Sequence, residues 1–303
     1  MATIREALNS ARARLRAAEI SSPDLDAAVL LASVLEVDRA ALYAHPERAL
    51  PPEAQATYEA MIARRLQGEP VAYISGHKEF MGLDFLTDRR ALIPRPETEL
   101  LVEMALAEIR RRGEAAQTDQ RPPPEALIGL RVADIGTGSG AIAIALAVHE
   151  PRLPLIYATD ISAEALALAE ENARRLGAAS RLRLLQGDLL EPLPEPVDLL
   201  LANLPYIADN EQEILAPDVR DYEPHLALFG ADDGLGPIRS LLASAPPLLK
   251  PGAVLLLEYG YNQRARLTDL IPSALPGAQI RFISDYAGWD RLVEIRVMPA
   301  PQQ

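Results

Sequence analysis

An α/β fold in which a parallel sheet follows a small helical domain is predicted by three features of the sequence. From Arg131 onward short apolar runs alternate with helical stretches, as in RVADIG, PLIYATDI, RLRLLQGD and VDLLLANLPY, and such alternation implies parallel strands joined by crossover helices. A glycine-rich turn, Gly136 to Gly140, closes the first of those runs and opens a helix. Ahead of them, from Thr3 to about Gln67, apolar residues recur at helical spacing.

Taken in chain order, Ile4, Leu8, Ala11 and Leu15 mark a first helix, and Leu25, Val29, Leu30 and Val34 a second. Ser21 or Ser22 ahead of Pro23 starts the second, and Pro51-Pro52-Glu53 starts another. A proline in the first turn lacks only an N–H that the helix does not use. Between Gly68 and Pro96 the composition shifts to Tyr73, Ile74, Phe80, Leu83 and Phe85, punctuated by Gly76 and Gly82, which predicts a hairpin. Residues 97–112 are helical again, and 113–124 (GEAAQTDQRPPP) have nothing to bury and are expected to form a mobile loop. After the four alternating runs come helices over 241–249 and 268–275, and strands over 253–259, 279–283 and 292–297. The chain is thereby divided into a helical domain over 1–72, a hairpin linker over 73–95 and an α/β domain over 96–303.

Composition narrows the function classes. With 303 residues, 49% hydrophobic and 24% charged, the chain is an ordinary globular one rather than a disordered one. Its net charge of −13 argues against general attraction to phosphate backbones, so no direct nucleic-acid binding is expected. An arginine cluster, Arg64, Arg65, Arg89, Arg90, Arg95, Arg110, Arg111 and Arg112, is the one candidate basic face, and it reads as solvated helix surface. Without cysteine there is no disulfide, thiolate metal site or thiol nucleophile, and His45, His77, His149 and His225 lack ligand spacing, so no metal is expected. No signal-type or membrane-length apolar run is present, which predicts a cytoplasmic protein with no membrane partner.

The chemistry sits at strand ends. Gly136-Thr137-Gly138-Ser139-Gly140 lets backbone approach a ligand closely, but its third glycine falls one position earlier than in the dinucleotide fingerprint. Asp160, closing the second run, is placed to accept hydrogen bonds from both hydroxyls of a ribose, and Asp188, beside Leu189 after the third run, to bind the exocyclic amine of adenine. Either acid taken alone also suits a helix N-cap, but acids at successive strand ends call for more than capping. The fourth run ends in Asn203-Leu204-Pro205-Tyr206, at the edge where open α/β sheets bind ligands.

In this order the motifs resemble S-adenosylmethionine-dependent methyltransferases of the amino type, whose [D/N/S]-P-P-[Y/F/W] tetrapeptide binds a planar amino or amide nitrogen. More specifically, the chain resembles the protein-glutamine N5-methyltransferases that act on peptide chain release factors. Segments 68–76 (GEPVAYISG), 79–82 (EFMG), 92–99 (LIPRPETE), 223–228 (EPHLAL) and 233–235 (DGL) carry that likeness, the Pro-Arg-Pro-Glu-Thr-Glu stretch most specifically. The resemblance implies a Rossmann-like class I methyltransferase sheet of seven mostly parallel strands. It also implies S-adenosylmethionine as cofactor, and the glutamine of a Gly-Gly-Gln loop as methyl acceptor. Gly136 to Gly140, Asp160, Asp188, Leu189 and Asn203 would hold the cofactor. The Asn203 side-chain oxygen and the Leu204 carbonyl would accept from the target amide, Pro205 would stiffen the turn, and the Tyr206 ring would pack on the amide. Arg95 and Glu97 would border the substrate cleft, and the helical domain would grip the protein substrate.

Two departures stand out. Leu204 replaces a proline, and N-L-P-Y is the form more common in ribosomal RNA adenine dimethylases. Because the acceptor there is a backbone carbonyl, activity is expected to survive the change. In Glu258-Tyr259-Gly260 a tyrosine stands where isoleucine is frequent. Alternatives at this level are a glutamine methyltransferase acting on ribosomal protein L3, an RNA or DNA adenine N6-methyltransferase, a non-catalytic cofactor-binding module, and an NAD-dependent dehydrogenase.

Overall fold

Capping and periodicity produce the first helices where the sequence places them. In the computed structural model, which describes residues 2–117, 127 and 129–298, Thr3 and Glu6 form a reciprocal capping box ahead of α1 (Ile4–Ala17). Pro23 opens α2 (Pro23–Leu35) and Pro52 opens α4 (Pro52–Leu66), with the short α3 (Arg39–Ala44) between them. Leu8, Leu15, Leu30, Leu31, Tyr58 and Ile62 interlock in one core, and the Tyr58 hydroxyl donates to the Ala27 carbonyl at 3.0 Å.

The hairpin expected from Tyr73 and Ile74 begins later. Residues Val71–Ser75 form a short helix, α5, started by Pro70 and ended by Gly76 in a left-handed conformation, φ 78°. Ile74 thereby joins the helical core instead of a strand. The hairpin proper is β1 (His77–Phe80) and β2 (Leu83–Leu86).

The chain folds as two compact units, and their boundary differs from the 72/73 division. The first comprises Met1–His77 together with Leu215–Tyr222. That second segment, containing α9 (Pro217–Tyr222), is tied in by charges that local sequence does not reveal. Arg65, 5% exposed, pairs with Asp26 at 2.7 Å and reaches Asp218 at 3.6 Å. The Tyr222 hydroxyl donates to the Gln67 carbonyl at 2.8 Å.

The second unit spans Lys78–Ile214 and Glu223–Gln303. It begins with the hairpin, which is part of its core and not a linker, because Phe80 and Phe85 pack edge to face and sit among Leu101, Ala105 and Ile142. After α6 (Pro96–Gln117) the alternation unfolds as predicted: β3 (Val132–Ile135), α7 (Ala141–His149), β4 (Ile156–Asp160), α8 (Ala163–Arg175), β5 (Leu182–Gln186) and β6 (Val197–Asn203). The short α10 (His225–Leu228), α11 (Gly236–Ser244), β7 (Leu249–Glu258), α12 (Arg264–Ala274), β8 (Gln279–Ser284) and β9 (Asp290–Arg296) follow. The seven strands lie in the order β5-β4-β3-β6-β7-β9-β8. The first five run parallel and the last two pair antiparallel. Residues 141–147 of α7 are buried all round, which is why that segment has no polar face.

Differences from expectation have local causes. The helix α6 continues through Gly113 to Gln117, so the start of the expected loop is helical, and 118–124 lie outside the described residues. The helix expected over 241–249 starts at Gly236 and stops at Ser244, because Pro246 and Pro247 lack the N–H that would continue it. The one over 268–275 starts earlier, at Arg264, and the strand expected over 253–259 at Leu249.

The arginine cluster is largely neutralised by carboxylates: Arg64 by Glu69, Arg65 by Asp26, Arg90 by Asp88 and Glu171, Arg95 by Glu223, and Arg111 and Arg112 by Glu108. Glu108 also takes Arg296 of β9 at 2.9 Å, so it ties α6 to the sheet. Burial alone would raise its pKa, but hydrogen bonds from Arg111, Arg296 and Arg112 outweigh burial and hold it down at about 2. A depressed carboxyl stabilises above its unfolded pKa and stops doing so as pH falls through the folded value. Replacing Glu108 by glutamine is therefore expected to cost about 1–2 kcal/mol at pH 7, since the arginine partners are partly solvated. Denaturant titrations should show that difference shrinking between pH 4.5 and 2, and a pH-independent difference would contradict the assignment.

Candidate active site

The strand order itself creates the cleft. The chain passes from β3 to β4 on one side and later to β6 on the other, so loops leaving the carboxyl ends of β3, β4 and β6 diverge at a topological switch point. Into that crevice project Gly136, Thr137, Gly138, Ser139, Asp160, Asp188, Leu189, Asn203, Leu204, Pro205 and Arg95. The sequence thus places eleven of its fourteen candidate residues along one cleft. Gly140, Glu97 and Tyr206 do not line it. Gly140 serves as N-cap of α7, at φ 81°, Glu97 is exposed in the first turn of α6, and Tyr206 is partly buried, its carbonyl accepting from Gln263.

The glycine turn is held by β4. Both Gly136 N–H and Thr137 N–H donate to the Thr159 carbonyl at 2.9 Å. The Asp160 carboxylate accepts from Gly138 N–H at 2.8 Å and from Ser162 N–H at 2.9 Å. Burial raises the Asp160 pKa, with the backbone donors of Ser162, Gly138 and Ile161 pulling against it. Capping does not account for Asp160, because the N-cap of α8 is Ser162, whose hydroxyl accepts from Ala165 N–H. Asp188 is exposed on the cleft. Leu189 takes a positive φ, 46°, and its carbonyl accepts from the Thr159 hydroxyl at 2.9 Å.

Asp134, which sequence reasoning treated only as the start of the glycine motif, is fully buried beneath the turn. Thr137 Oγ1 donates to one of its carboxylate oxygens at 2.6 Å, and the other, Oδ1, has no close partner. Burial pushes its pKa up to about 7 against the pull of Thr137. The Asp160 and Asp188 carboxylates, which line the cleft beside the glycine turn, suit a ligand that carries hydroxyl and amine donors. The cleft residues therefore fit a nucleoside bearing an amino acid, the description of S-adenosylmethionine.

Opposite, Asn203 ends β6, and its Nδ2 donates to Thr98 Oγ1 at 3.0 Å, so Oδ1 remains as its acceptor. Leu204 is 4% exposed, and its Cδ2 lies 2.9 Å from where a β-carbon on Gly136 would stand. The leucine that replaces the usual proline thus fills the space above the glycine turn. Gln263, 2% exposed, fixes the following turn: its Nε2 donates to the Tyr206 carbonyl at 2.8 Å and its Oε1 accepts from Gly260 N–H at 2.9 Å. Gly234 backs onto the same carbonyl so closely that any side chain there would collide with it.

Arg95 is directed by Glu223, whose buried carboxylate also accepts from Ile93 N–H at 3.1 Å. That joins two of the family-like segments, 92–99 and 223–228, across 128 positions of sequence. Glu258, 3% exposed at the end of β7, is pushed up to about 7 by burial. Burial, with the negative charge of Glu258 adding to it, raises the Tyr206 phenol to about 12. Thr98 and Glu223 stand inside motifs quoted above without an assigned role. Gln263 carries no local signal at all.

Fold and cleft together define a class I methyltransferase that uses S-adenosylmethionine, and residues 124–219 match the methyltransferase small domain, with residues 6–76 matching the PrmC N-terminal domain. The chain is 43% identical over 95% of its length to the release factor glutamine methyltransferase of Moorella thermoacetica, covering 96% of that protein. It is 44% identical over 97% of its length to the one from Cereibacter sphaeroides, covering 99% of it. This chain belongs to the release factor glutamine methyltransferase family. Among solved structures, the hMettl16 catalytic domain in complex with MAT2A 3'UTR hairpin 6 aligns at TM-score 0.53 and 13% identity, over 83% of this chain and 84% of that one, a likeness of fold alone.

Proposed function

We propose that this chain methylates the side-chain amide nitrogen, N5, of the glutamine in the Gly-Gly-Gln motif of peptide chain release factors. The observation that carries this reading is Asn203: its NH2 group is engaged by Thr98, so that an amide oxygen is offered in the same cleft as Asp160 and the glycine turn. An acceptor there selects a substrate that brings N–H groups. The family to which the chain belongs adds the identity of the protein that brings them.

The roles follow from the chemistry of a carboxamide. Its nitrogen is a poor nucleophile because the lone pair is delocalised into the carbonyl. When bound, S-adenosylmethionine supplies an electrophilic methyl group on a sulfonium. Asn203 Oδ1 and the Leu204 carbonyl accept hydrogen bonds from the two N–H groups, orienting the nitrogen and favouring loss of conjugation, and the proton that the methyl group replaces leaves to solvent. Pro205 rigidifies the turn, and the Tyr206 ring packs against the target amide. Asp160 accepts from the ribose hydroxyls and Asp188 from the adenine amine, while Gly136 to Ser139 and Leu189 shape the wall against which the nucleoside lies, and Gly140, the N-cap of α7, fixes the end of that turn. Arg95, held by Glu223, and Glu97 stand at the rim toward the protein substrate.

For the first unit we propose that the helical domain grips the release factor. Direct nucleic-acid binding is not part of this reading: the net charge is −13, and six of the eight arginines that would form a basic face are paired with carboxylates. Among the described residues no helix is long and apolar enough to cross a membrane. A cytoplasmic location follows from the substrate class, since release factors act on ribosomes.

Side-by-side transfer assays with a release factor, ribosomal protein L3 and ribosomal RNA test the choice of substrate. The expected result is methylation of the release factor with kcat/KM at least about a hundredfold above the others. Preferred methylation of L3 would move the assignment to that target, and transfer to RNA, weakening steeply with salt, would overturn a protein substrate.

A further inference from the structure

The second acceptor proposed for the target amide is a backbone carbonyl, that of Leu204. Its placement is therefore a property of the turn and of whatever holds that turn from behind. With leucine at 204, a single ring, that of Pro205, stiffens this turn. Two further segments close on its back.

The first runs from Leu228 to Gly236. Just beyond the tetrapeptide, Ile207 N–H donates to the Leu228 carbonyl at 3.1 Å and Gly230 N–H to the Ile207 carbonyl at 2.8 Å, a parallel bridge between Ile207 and Phe229. Gly230 and Gly234 press so close that neither has room for a side chain. A β-carbon on Gly230 would stand 2.5 Å from the Pro205 carbonyl oxygen, and one on Gly234, at φ 72°, would collide with the carbonyl of Tyr206.

The second is the loop after β7, which ends at Gln263. The Gln263 carbonyl accepts from Leu267 N–H at 3.1 Å, so its backbone is anchored to the start of α12, whose Leu267 and Ile271 are fully buried. Its buried side chain joins all three segments. Nε2 donates to the Tyr206 carbonyl at 2.8 Å and to the Gly234 carbonyl at 3.2 Å, and Oε1 accepts from Gly260 N–H at 2.9 Å. A reversed amide would set its oxygen against two carbonyl oxygens and its NH2 against an N–H, so the neighbours allow one orientation.

We propose that Gln263 is a positioning residue for methyl transfer: by holding the Tyr206 peptide from behind, it sets where the Leu204 carbonyl meets the target amide. Gln263 does not line the cleft, so its effect passes through the backbone of Pro205 and Tyr206. The inference rests on the acceptor roles proposed for Asn203 and Leu204. Displacing an orienting group by about 1 Å can cost about a hundredfold in rate. The proposed cofactor contacts lie on the loops after β3, β4 and β5, to which Gln263 makes none of these bonds. Its loss is therefore expected in kcat and not in cofactor affinity.

The test displaces one carbonyl in two ways. Gln263→Met keeps a side chain of similar length and removes both hydrogen-bonding groups, whereas Gly234→Ala leaves Gln263 intact and pushes on the Tyr206 carbonyl with a methyl group. In release factor methylation, each is expected to lower kcat by at least about tenfold, with the KM for the release factor and the Kd for the cofactor within about threefold of the parent. Circular dichroism establishes that each variant is folded, and should one fail to fold, the other decides. Parental kcat in a folded variant would overturn the proposal. So would a loss confined to KM or to cofactor Kd, because Gln263 would then serve binding and not the placement of the acceptor. Asn203→Ala, assayed alongside, separates the two levels. Full activity there removes the acceptor turn itself, and the role of Gln263 with it, whereas an inactive Asn203→Ala beside parental kcat in Gln263→Met removes only the positioning role.

Discussion

Replacing Asn203 by alanine is expected to lower kcat by about 10²–10³-fold while leaving cofactor affinity within a few-fold of the parent. The size follows from what is removed: a preorganised acceptor in a water-poor cleft, needed most when the target nitrogen gives up its conjugation with the carbonyl. The change creates little space and should not unfold the protein, because Asn203 is only partly buried. Asn203→Asp is a sharper version. A carboxylate cannot donate to Thr98 as the amide does, so the hydrogen bond would have to reverse, with the Thr98 hydroxyl donating. Single-turnover rates at saturating cofactor, set beside calorimetric cofactor binding, read both parts of the expectation. Parental turnover in Asn203→Ala would remove the amide-acceptor role.

Asp160→Ala is expected to act on the other half of the cleft, weakening S-adenosylmethionine binding by about 30–100-fold, the equivalent of roughly 2–3 kcal/mol. Two contributions combine in that figure. The carboxylate is the proposed acceptor for the ribose hydroxyls, and it also holds the glycine turn through Gly138 N–H and the start of α8 through Ser162 N–H. Asp160→Asn tells them apart, since it retains one acceptor oxygen and should fall between parent and alanine variant. Because burial raises the pKa of Asp160, its charged form is populated less at low pH, and parental cofactor affinity should decline as the solution is acidified. Calorimetry across pH checks this; unchanged affinity in Asp160→Ala would remove the ribose assignment. At saturating cofactor, the kcat of Asp160→Ala should stay within a few-fold of the parent, the reverse of the Asn203 pattern.

Much of this site was legible before the structure because it is built from strand ends. In a parallel sheet every strand delivers its last residue to the same edge, so the residues closing RVADI, IYATD and VDLLLAN converge whatever the loops between them do. Alternation of apolar runs therefore located Asp160 and Asn203 as well as the strands. What stayed hidden depends on partners distant in sequence. Thr98 bonds Asn203 from α6 and Glu258 stands opposite it in the register of β7, and nothing near either marks them as neighbours. Gln263 holds the turn after Asn203 through the Tyr206 carbonyl from 57 positions away. The same limit explains α9, whose Asp218 joins the helical unit through Arg65 although the segment is embedded in the sequence of the other unit. Within Val71–Ser75 local propensity gave the wrong element, since β-favouring Tyr73 and Ile74 were overridden by the start at Pro70 and by the core that Ile74 enters.

The reading of Leu204 changes with the structure. From sequence it was an outlier whose tolerance rested on the acceptor being a backbone carbonyl. In the fold its side chain is buried against the glycine turn, so the turn after β6 and the turn after β3 are in direct contact through it. That contact gives a physical reason for the motif to work with leucine, because packing on Gly136 restrains the turn where a second proline ring would otherwise do so.

The most direct test is to incubate the protein with methyl-labelled S-adenosylmethionine and a purified release factor, and to locate the label by peptide mass spectrometry. The same reaction is run on a release factor whose Gly-Gly-Gln glutamine is replaced by alanine. The account predicts a single added methyl group on that glutamine, at the side-chain nitrogen, and no label on the alanine form. Label on both forms, or on neither while cofactor still binds, would contradict it.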